Sequence, residues 1–243
     1  MTTGPKNTYS EALIPATVLE RREDASYLFF KVAPHLPFDH LPGQYTSLTL
    51  EHEGAEITRH YSIASAPKPD GTLEFCALIG NNGNGTFTDL LVAGRQLKIA
   101  GARGQFLLSR HPGPKVFVAG GSGIAPIRAM IQDISTRYDK SSAAQETGPL
   151  HLLYGCRSAT MIPYRAEFVA LCGTPMDLKT WFVTEDRGTD PDVLEGRVTD
   201  YLSQAMLKRA EYYICGSQPM RRAVESLLAA QGVGSEAIVT DRF

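Results

Sequence analysis

The 243-residue chain has 24 Lys and Arg residues against 26 Asp and Glu residues, a formal net charge of −2, and 43% of its residues are hydrophobic. This is ordinary globular composition, and the length predicts two compact domains. The near-neutral charge gives no electrostatic reason to expect nucleic acid. The apolar runs have only the length of strands and the polar first residues lack a secretory signal, so we expect a cytoplasmic protein outside membranes.

The spacing of the four cysteines argues against a bound metal. Cys76, Cys156, Cys172 and Cys215 form no Cys-x-x-Cys pair and no close run. Zinc sites and iron–sulfur clusters need such spacings, and the pattern gives no disulfide framework either. We therefore expect no metal, and any redox chemistry would depend on a bound organic cofactor.

The first half of the chain is predicted to form an antiparallel β-barrel. Short β-rich segments alternate with turn signals such as Pro42-Gly43 and the Pro- and Gly-containing run at 67–71. Many short strands with regular turns are typical of a closed or nearly closed barrel. The predicted strands are residues 13–19, 27–32, 45–50, 56–63, 73–79, 96–99 and 105–107.

In the second half, predicted strands alternate with predicted helices. The alternation indicates a doubly wound parallel sheet covered by helices on both faces. The strands are residues 115–119, 150–154, 178–184, 211–215 and 237–240, and the helices are residues 124–138, 164–171, 198–207 and 219–231. Gly232 is the expected C-terminal cap of the last helix. The turn-rich segment 109–114 predicts one domain over residues 1–110 and another over residues 111–243.

One predicted barrel strand contains residue types suited to a ring and a phosphate. Side chains alternate along a strand, so Arg59 and Tyr61 face one way and Ser62 the other. An arginine fork suits a phosphate, and a tyrosine offers a flat face to a planar ring. Taken alone, the segment is better explained as a strand with a surface arginine and a buried tyrosine.

A glycine-rich loop joins the first strand and the first helix of the second half. Gly120, Gly121 and Gly123 follow a continuous apolar strand, and Pro126 lies in the first helical turn, where a missing N–H costs nothing. Such a loop suits a dinucleotide pyrophosphate, although a lone glycine loop is often only a tight turn. Its position after an apolar strand favours the binding interpretation.

Several segments, in order along the chain, resemble the ferredoxin–NADP⁺ reductase family. Arg59-His60-Tyr61-Ser62 resembles the family's R-x-Y-S flavin motif. The other similar segments begin at Pro42, Gly85, Gly101, Val118, Tyr154, Tyr213 and Asp241. Together they cover about residues 11–243, with Ala102 where the family usually has proline. The resemblance implies an FAD-binding barrel followed by a domain that binds NADH or NADPH.

The resemblance assigns cofactor contacts in the barrel. Arg59 is implied to neutralise the flavin phosphates and Tyr61 to stack on the flavin ring, with Ile63 and Ala64 beside it. The Ser62 hydroxyl is implied to face flavin N5, the atom that accepts hydride.

A second barrel segment is implied to hold the flavin pyrophosphate. Gly85 would let the backbone approach a phosphate, and Thr86 or Thr88 can donate a hydroxyl at a helix N-terminus, where anions are favoured. This seat favours FAD over FMN. Without the family context, a glycine-rich loop capped by threonine explains the segment equally well.

In the second domain, the resemblance places the nicotinamide at Cys215, with Gly216 and Met220 in the same segment. Cys215 is implied to seat the ring rather than to act as a nucleophile. Asp241 stands near a family carboxylate with a role in proton delivery. Phe243 corresponds to an aromatic residue that stacks on the flavin and moves aside for the nicotinamide.

The residues after the third strand of the second domain bear on the choice of nucleotide. NADPH-preferring relatives tend to have Ser-Arg where this chain has Thr184-Glu185-Asp186. Carboxylates repel a 2′-phosphate and accept ribose hydroxyls, so we expect NADH to be preferred. Arg157 and Arg187 are the opposing signal, since either can approach a phosphate.

The implied function is that of an NAD(P)H-dependent flavoprotein reductase. Hydride passes from nicotinamide C4 to FAD N5, with positioning as the main source of catalysis, and electrons then go to a separate acceptor. That acceptor is a ferredoxin, an oxygenase component, a haem protein or a small molecule. The alternatives are a reductase of diffusible flavin or quinone, and a non-catalytic redox-sensing subunit.

Overall fold

Two six-stranded sheets dominate the fold of the computed structural model, which describes residues 13–79, 85–140, 148–176 and 178–241. The first sheet is wholly antiparallel, in the order β4-β3-β6-β1-β2-β5. Its strands are β1 (Ile14–Asp24), β2 (Tyr27–Pro34), β3 (Tyr45–His52), β4 (Ala55–Ser62), β5 (Leu73–Leu78) and β6 (Gln96–Ile99). Helix α1 (Gly85–Leu90) precedes β6.

The two edge strands of this sheet meet and close it into a barrel. A bridge joins Ile63, just past β4, to Phe75 of β5, and the Ala64 N–H donates to the Glu74 carbonyl at 2.7 Å. Alternate residues of the strands fill the interior with a cluster that includes Val18, Leu28, Phe30, Leu48 and Ile99. The predicted antiparallel barrel is confirmed.

The second sheet is wholly parallel, in the order β10-β9-β8-β7-β11-β12. Its strands are β7 (Lys115–Gly120), β8 (Leu150–Ser158), β9 (Leu178–Asp186), β10 (Leu194–Glu195), β11 (Glu211–Cys215) and β12 (Ile238–Thr240). The helices are α2 (Ile124–Lys140), α3 (Arg165–Leu171), α4 (Val198–Ala205) and α5 (Gln218–Ala230). We call this unit the α/β domain.

Helices cover both faces of the parallel sheet. In β7, Phe117 and Ala119 pack in the core formed with α2 and α3, whereas Val116 and Val118 pack in the core formed with α4 and α5. Strands buried on both faces are continuously apolar, which is why β7 was recognisable in the sequence. The doubly wound sheet is confirmed. Among the described helices, none is both long and apolar enough to cross a membrane.

The topology reverses between β7 and β11. From β7 the chain moves outward to β8, β9 and β10, and then returns to the other side of β7 to form β11 and β12. The carboxyl ends of β7 and β11 are neighbours, with Ala119 opposite Cys215. In open α/β sheets, ligands bind in the crevice at such a switch point.

The segment leading from the barrel to the α/β domain differs from the prediction. Residues 105–107 are not a strand; only Arg103 forms a bridge, to Tyr45. The Phe106 ring instead packs in the core of the α/β domain, 6.2 Å from the Tyr213 ring. A short apolar run in a turn-rich segment can pack in either direction, and here tertiary packing decided it. The two-residue strand β10 was also missed, and the domain boundary at residue 110 stays a prediction.

Candidate active site

A cavity of about 930 Å³ lies between the barrel and the α/β domain. Its lining from the barrel includes Tyr61 and Ser62, and from the α/β domain it includes Gly120, Cys215 and Asp241. The cavity is at the topological switch point and has the size of a site for a substantial organic ligand. The fold thus brings residues from opposite ends of the sequence to one cleft.

Tyr61 is the central residue of the barrel wall. Its ring packs among aromatic side chains, 5.6 Å from the Phe30 ring and 5.9 Å from the Phe87 ring. Burial raises the pKa of Tyr61 to about 12, although the nearby charge of Arg59 opposes the shift. The buried hydroxyl has no hydrogen-bond partner among the described residues. A buried polar group without a partner is costly, so this hydroxyl fits a polar atom of a bound cofactor.

Ser62 follows Tyr61 at the end of β4 and also lines the cavity. It is opposite Tyr45 in the register of β3 and β4. Ile63 and Ala64 are fully buried at the point where the barrel closes, so their side chains form its wall rather than the cavity lining. A flavin placed against Tyr61 and Ser62 would still lie beside their backbone.

Arg59 and the helix α1 residues are not part of the described cavity lining. Arg59 Nη1 donates to the Thr58 carbonyl at 2.9 Å. Gly85 begins α1, Thr86 is exposed and Thr88 is buried. The phosphate contacts expected of these four residues stay predictions. The preceding residues 80–84, which contain part of the glycine-rich segment, lie outside the described residues.

The opposite wall is made of glycine-rich backbone. Gly121 has φ = +56°, a left-handed conformation that favours glycine. At Gly123, a Cβ would lie 2.4 Å from the Cys215 carbonyl oxygen, so the loop packs directly on β11. At Gly120, a Cβ would lie 2.5 Å from Met220 Sδ, a flexible side chain. The first two glycines are fixed by backbone geometry, and Gly120 leaves room for Met220.

The carboxyl end of β11 and the start of α5 complete this wall. A Cβ at Gly216 would lie 2.7 Å from Met220 Cε, so Met220 covers both Gly120 and Gly216. Pro126 is buried in the first turn of α2, where it helps to begin the helix after the loop. Pro126 is not among the cavity-lining residues.

Cys215 and Asp241 form a hydrogen-bonded pair at the cleft. The Cys215 thiol donates to Asp241 Oδ2 at 3.3 Å, and both residues line the cavity. Burial, together with the Asp241 charge, raises the pKa of Cys215 well above its ordinary value. The thiol is therefore protonated at neutral pH and a poor nucleophile, as expected for a residue that only seats a ring. Phe243, the expected aromatic cover, lies outside the described residues.

The outer edge of the cleft carries charges of both signs. Arg157 and Glu185 are exposed and line it, and so does Arg197, which the sequence did not single out. Arg197 Nε lies 3.9 Å from Glu185 Oε1. Arg187 instead pairs with Glu195 at 3.8 Å and is not in the lining. No sequence pattern marks Arg197, because only the tertiary structure brings this residue, directly before α4, beside Glu185 of β9.

A hydrogen bond between two tyrosines, neither of which the sequence analysis assigned a role, links the barrel to the α/β domain. Tyr27 of β2 and Tyr154 of β8 have their hydroxyl oxygens 3.1 Å apart, and Tyr154 donates to the Gly121 carbonyl at 3.2 Å. Tyr154 begins one of the family-like segments, which was the available signal. Tyr27 had none, because its partner is 127 residues away. Among the described residues, no cluster of His, Cys, Asp or Glu side chains could hold a metal ion.

Comparison with known proteins identifies both halves of the chain. Residues 19–107 match the family model of the oxidoreductase FAD-binding domain, and residues 117–226 match that of the oxidoreductase NAD-binding domain. The barrel wall with Tyr61 thus belongs to the FAD-binding domain, and the glycine loop and Cys215 belong to the NAD-binding domain.

Relatives and a solved structure have the same two units. The chain is 30% identical over 228 residues to the reductase component of propane 2-monooxygenase from Rhodococcus jostii, matching 88% of this chain and 58% of that protein. It is 31% identical to the ferredoxin–NAD(P)⁺ reductase component of the naphthalene 1,2-dioxygenase/salicylate 5-hydroxylase systems from Ralstonia sp., matching 92% of this chain and 66% of that protein. The chain thus spans less than two thirds of either relative.

The fold of the flavohaem-like FAD/NAD-binding domain of nitric oxide dioxygenase from Vibrio cholerae superposes with a TM-score of 0.80 at 22% identity, covering 95% of this chain and 98% of that domain. At this identity the superposition carries the fold alone. The two matched domains, together with the relatives, lead to one conclusion: the chain belongs to the ferredoxin–NADP⁺ reductase family of FAD- and NAD-binding oxidoreductases.

Proposed function

We propose that the chain is an NAD(P)H-dependent flavoprotein reductase that prefers NADH and passes electrons to a separate redox protein. One observation carries the proposal: the cleft sets Tyr61 and Ser62 of the FAD-binding domain against Gly120 and Cys215 of the NAD-binding domain. A flavin bound there would accept two electrons together from a reduced nicotinamide and release them one at a time.

The residues of the chain bind and orient rather than react. The Tyr61 hydroxyl, which has no hydrogen-bond partner among the described residues, would offer one to a bound cofactor, and Ser62 presents a second hydroxyl at the cavity surface. On the other wall, Cys215 holds its proton against Asp241 and offers an uncharged surface.

The preference for NADH depends on Glu185. Its exposed carboxylate lines the outer edge of the cleft, where it would accept ribose hydroxyls and repel a 2′-phosphate. Arg197 partly neutralises Glu185 at 3.9 Å, and Arg157 adds a second cation, so we expect a preference rather than an exclusion of NADPH.

The proposed acceptor is a separate iron–sulfur or haem protein. The relatives are named as reductase components of oxygenase systems, which supports electron delivery to another component. A reductase of diffusible flavin would have the same walls, and the strength of flavin binding separates the two.

The test is an anaerobic absorption spectrum of the purified protein, recorded before and after addition of NADH or NADPH to separate samples. We expect a bound flavin spectrum that bleaches faster with NADH than with NADPH. A protein that purifies without flavin but reduces added flavin would indicate the diffusible-flavin reductase. A flavin spectrum that neither nucleotide changes would contradict the proposal.

A further inference from the structure

A buried arginine on α2 links the α/β domain to the barrel. Arg128 is 8% exposed. Its Nη1 donates to the Ala64 carbonyl at 2.8 Å and to Glu74 Oε2 at 2.6 Å, both in the barrel. Its Nε donates to Glu167 Oε2 at 2.8 Å, and its guanidinium lies 4.2 Å from the centre of the Tyr164 ring, both in the α/β domain. The Nη1 and Nε donors of Arg128 are therefore both used at the junction between the two domains.

The barrel contacts of Arg128 lie just past the end of β4, the strand that contains Tyr61 and Ser62, and on β5. Ala64 is two residues after Ser62, and its N–H donates to the Glu74 carbonyl at 2.7 Å. Arg128 therefore binds the place where the barrel closes. A shift of this point would move Tyr61 and Ser62 with it.

The other end of the link is the glycine loop. Arg128 lies about one helical turn into α2, which begins at Ile124 directly after Gly123. Because Gly123 packs against the Cys215 carbonyl, the start of α2 cannot move without moving the wall of the cleft that the glycine loop and Cys215 form. The Arg128 side chain thus joins the helix that follows the glycine loop to the place where the barrel closes.

Gln132, one turn further along α2, reinforces the same junction. Its Oε1 accepts a hydrogen bond from the Ala66 N–H at 3.1 Å, and its Nε2 donates to Glu167 Oε1 at 2.9 Å. Arg128 and Gln132 therefore hold the segment from Ala64 to Ala66 from the same face of α2. The contacts at this junction involve Arg128, Gln132, Ala64, Ala66, Glu74 and Glu167.

We infer that Arg128 is a positioning residue that fixes the distance and angle between Tyr61–Ser62 on one wall and Gly123–Cys215 on the other. The inference rests on the proposed reductase function. Besides its two carboxylate partners, Arg128 contacts the backbone carbonyl of Ala64, two residues past the end of β4. Through the Ala64 carbonyl, Arg128 fixes the position of the backbone that leads directly from Tyr61 and Ser62.

The test compares Arg128→Met with Arg165→Met in the flavin-loaded protein. Arg165→Met is the matched control. It also removes a guanidinium from carboxylate partners and a ring, but those partners, Asp190, Asp192 and Phe182, all lie within the α/β domain. In Arg128→Met we expect flavin reduction at saturating NADH to slow by about 10- to 100-fold, because small misplacements of reacting groups have effects of this size. Flavin content and KM for NADH should stay within about threefold of wild type, and Arg165→Met should match wild type.

The conservative variant Arg128→Lys separates charge from geometry. An ammonium group keeps the positive charge but lacks the planar fork that reaches Ala64, Glu74 and Glu167 together. We expect a rate between those of Arg128→Met and wild type. If Arg128→Met does not fold, Arg128→Lys and Glu74→Gln carry the same expectation of slower reduction with retained flavin.

A second readout needs no enzyme activity. By scanning calorimetry of the flavin-free protein, we expect wild type and Arg165→Met to unfold in one transition and Arg128→Met in two, because the junction between the domains is weakened. The inference is overturned if Arg128→Met reduces its flavin at the rate of Arg165→Met, or if it loses flavin as well as rate. If wild type itself is not reduced by NADH or NADPH, the proposed function fails, and calorimetry alone then decides whether Arg128 couples the domains.

Discussion

The two walls of the cleft are built on opposite principles. The barrel wall uses a large side chain, Tyr61, held in place by rings of Phe30, Phe75 and Phe87. The glycine loop of the α/β wall instead presents backbone, since Gly121 and Gly123 bring the main chain itself to the cavity. On the first wall, removing atoms should be harmful, and on the second wall adding them should be.

The difference follows from the ligand parts that each wall would meet. A flavin ring is broad and flat, so a packed aromatic neighbour suits it. A pyrophosphate is small and charged, and backbone N–H groups reach it only where no Cβ intervenes. The walls are therefore expected to respond differently to substitutions of similar size.

The largest effect is expected from Tyr61→Ala. The substitution removes a 7% exposed ring from the aromatic cluster, so we expect a loss of about 3 kcal/mol in the free energy of unfolding and failure to retain flavin. Chemical denaturation and the absorption spectrum of the purified variant measure the two effects.

Tyr61→Phe is the matched control, because it keeps the ring and removes only the hydroxyl, which has no hydrogen-bond partner among the described residues. We expect the flavin-free protein to be as stable as wild type or slightly more so, while flavin affinity falls by about fivefold to tenfold, the equivalent of one lost hydrogen bond of about 1 kcal/mol. Unchanged flavin affinity in Tyr61→Phe would show that the hydroxyl does not contact the cofactor.

On the other wall, Gly123→Ala should be more harmful than Gly120→Ala. The new methyl at position 123 meets the Cys215 carbonyl, whereas at position 120 it meets Met220 Sδ, which can move. We expect Gly123→Ala to cost about 1–3 kcal/mol of stability and to raise KM for NADH by about tenfold, with a much smaller change for Gly120→Ala. Equal effects of the two substitutions on KM would contradict this account of the loop.

The smallest expected effect concerns the junction of the walls and depends on pH. Burial alone would raise the pKa of Glu74, but hydrogen bonds from Lys68 and Arg128 hold that pKa below its usual value. Its partners therefore stabilise the protein above about pH 4.3, the usual pKa of a free glutamate, and this contribution is lost as pH falls through the lower folded value. Lys31 of β2 lies opposite Glu74 in register, and the Glu74 charge also acts on Tyr164 of the α/β domain.

The variant Glu74→Gln measures this contribution. At pH 7 we expect its thermal midpoint to lie about 2–4 °C below that of wild type, for a loss of about 1 kcal/mol. The difference should shrink as the pH is lowered below 4. A difference that stays constant to pH 3 would show that the Glu74 charge does not contribute.

Most of the fold could be predicted from the sequence, for local reasons. The alternation of β-rich segments and turns predicted the barrel strands, and the continuous apolar β7 followed by glycines predicted the parallel sheet. The failures were residues 105–107 and β10. Phe106 was misread because its direction depends on the Tyr213 core that lies more than 100 residues later, and β10 is only two residues long.

The site was predictable where local motifs carry it. Tyr61, Ser62, Gly120 and Cys215 were identified from short segments, and they line one cavity. Arg197 was missed because an exposed arginine before a helix has no distinctive pattern. The expected contacts of Arg59, Thr86 and Thr88 stay predictions.

The sequence by itself determined the two kinds of sheet, the order of the elements and the family, because hydrophobic periodicity and glycine-containing turns are local properties of the chain. Only the tertiary structure decided which residues join the two walls. Arg128 meets Ala64 and Glu74, and Tyr27 meets Tyr154, across separations of 54 to 127 residues. No local pattern encodes such pairs, since their hydrogen bonds exist only after both domains have folded and met.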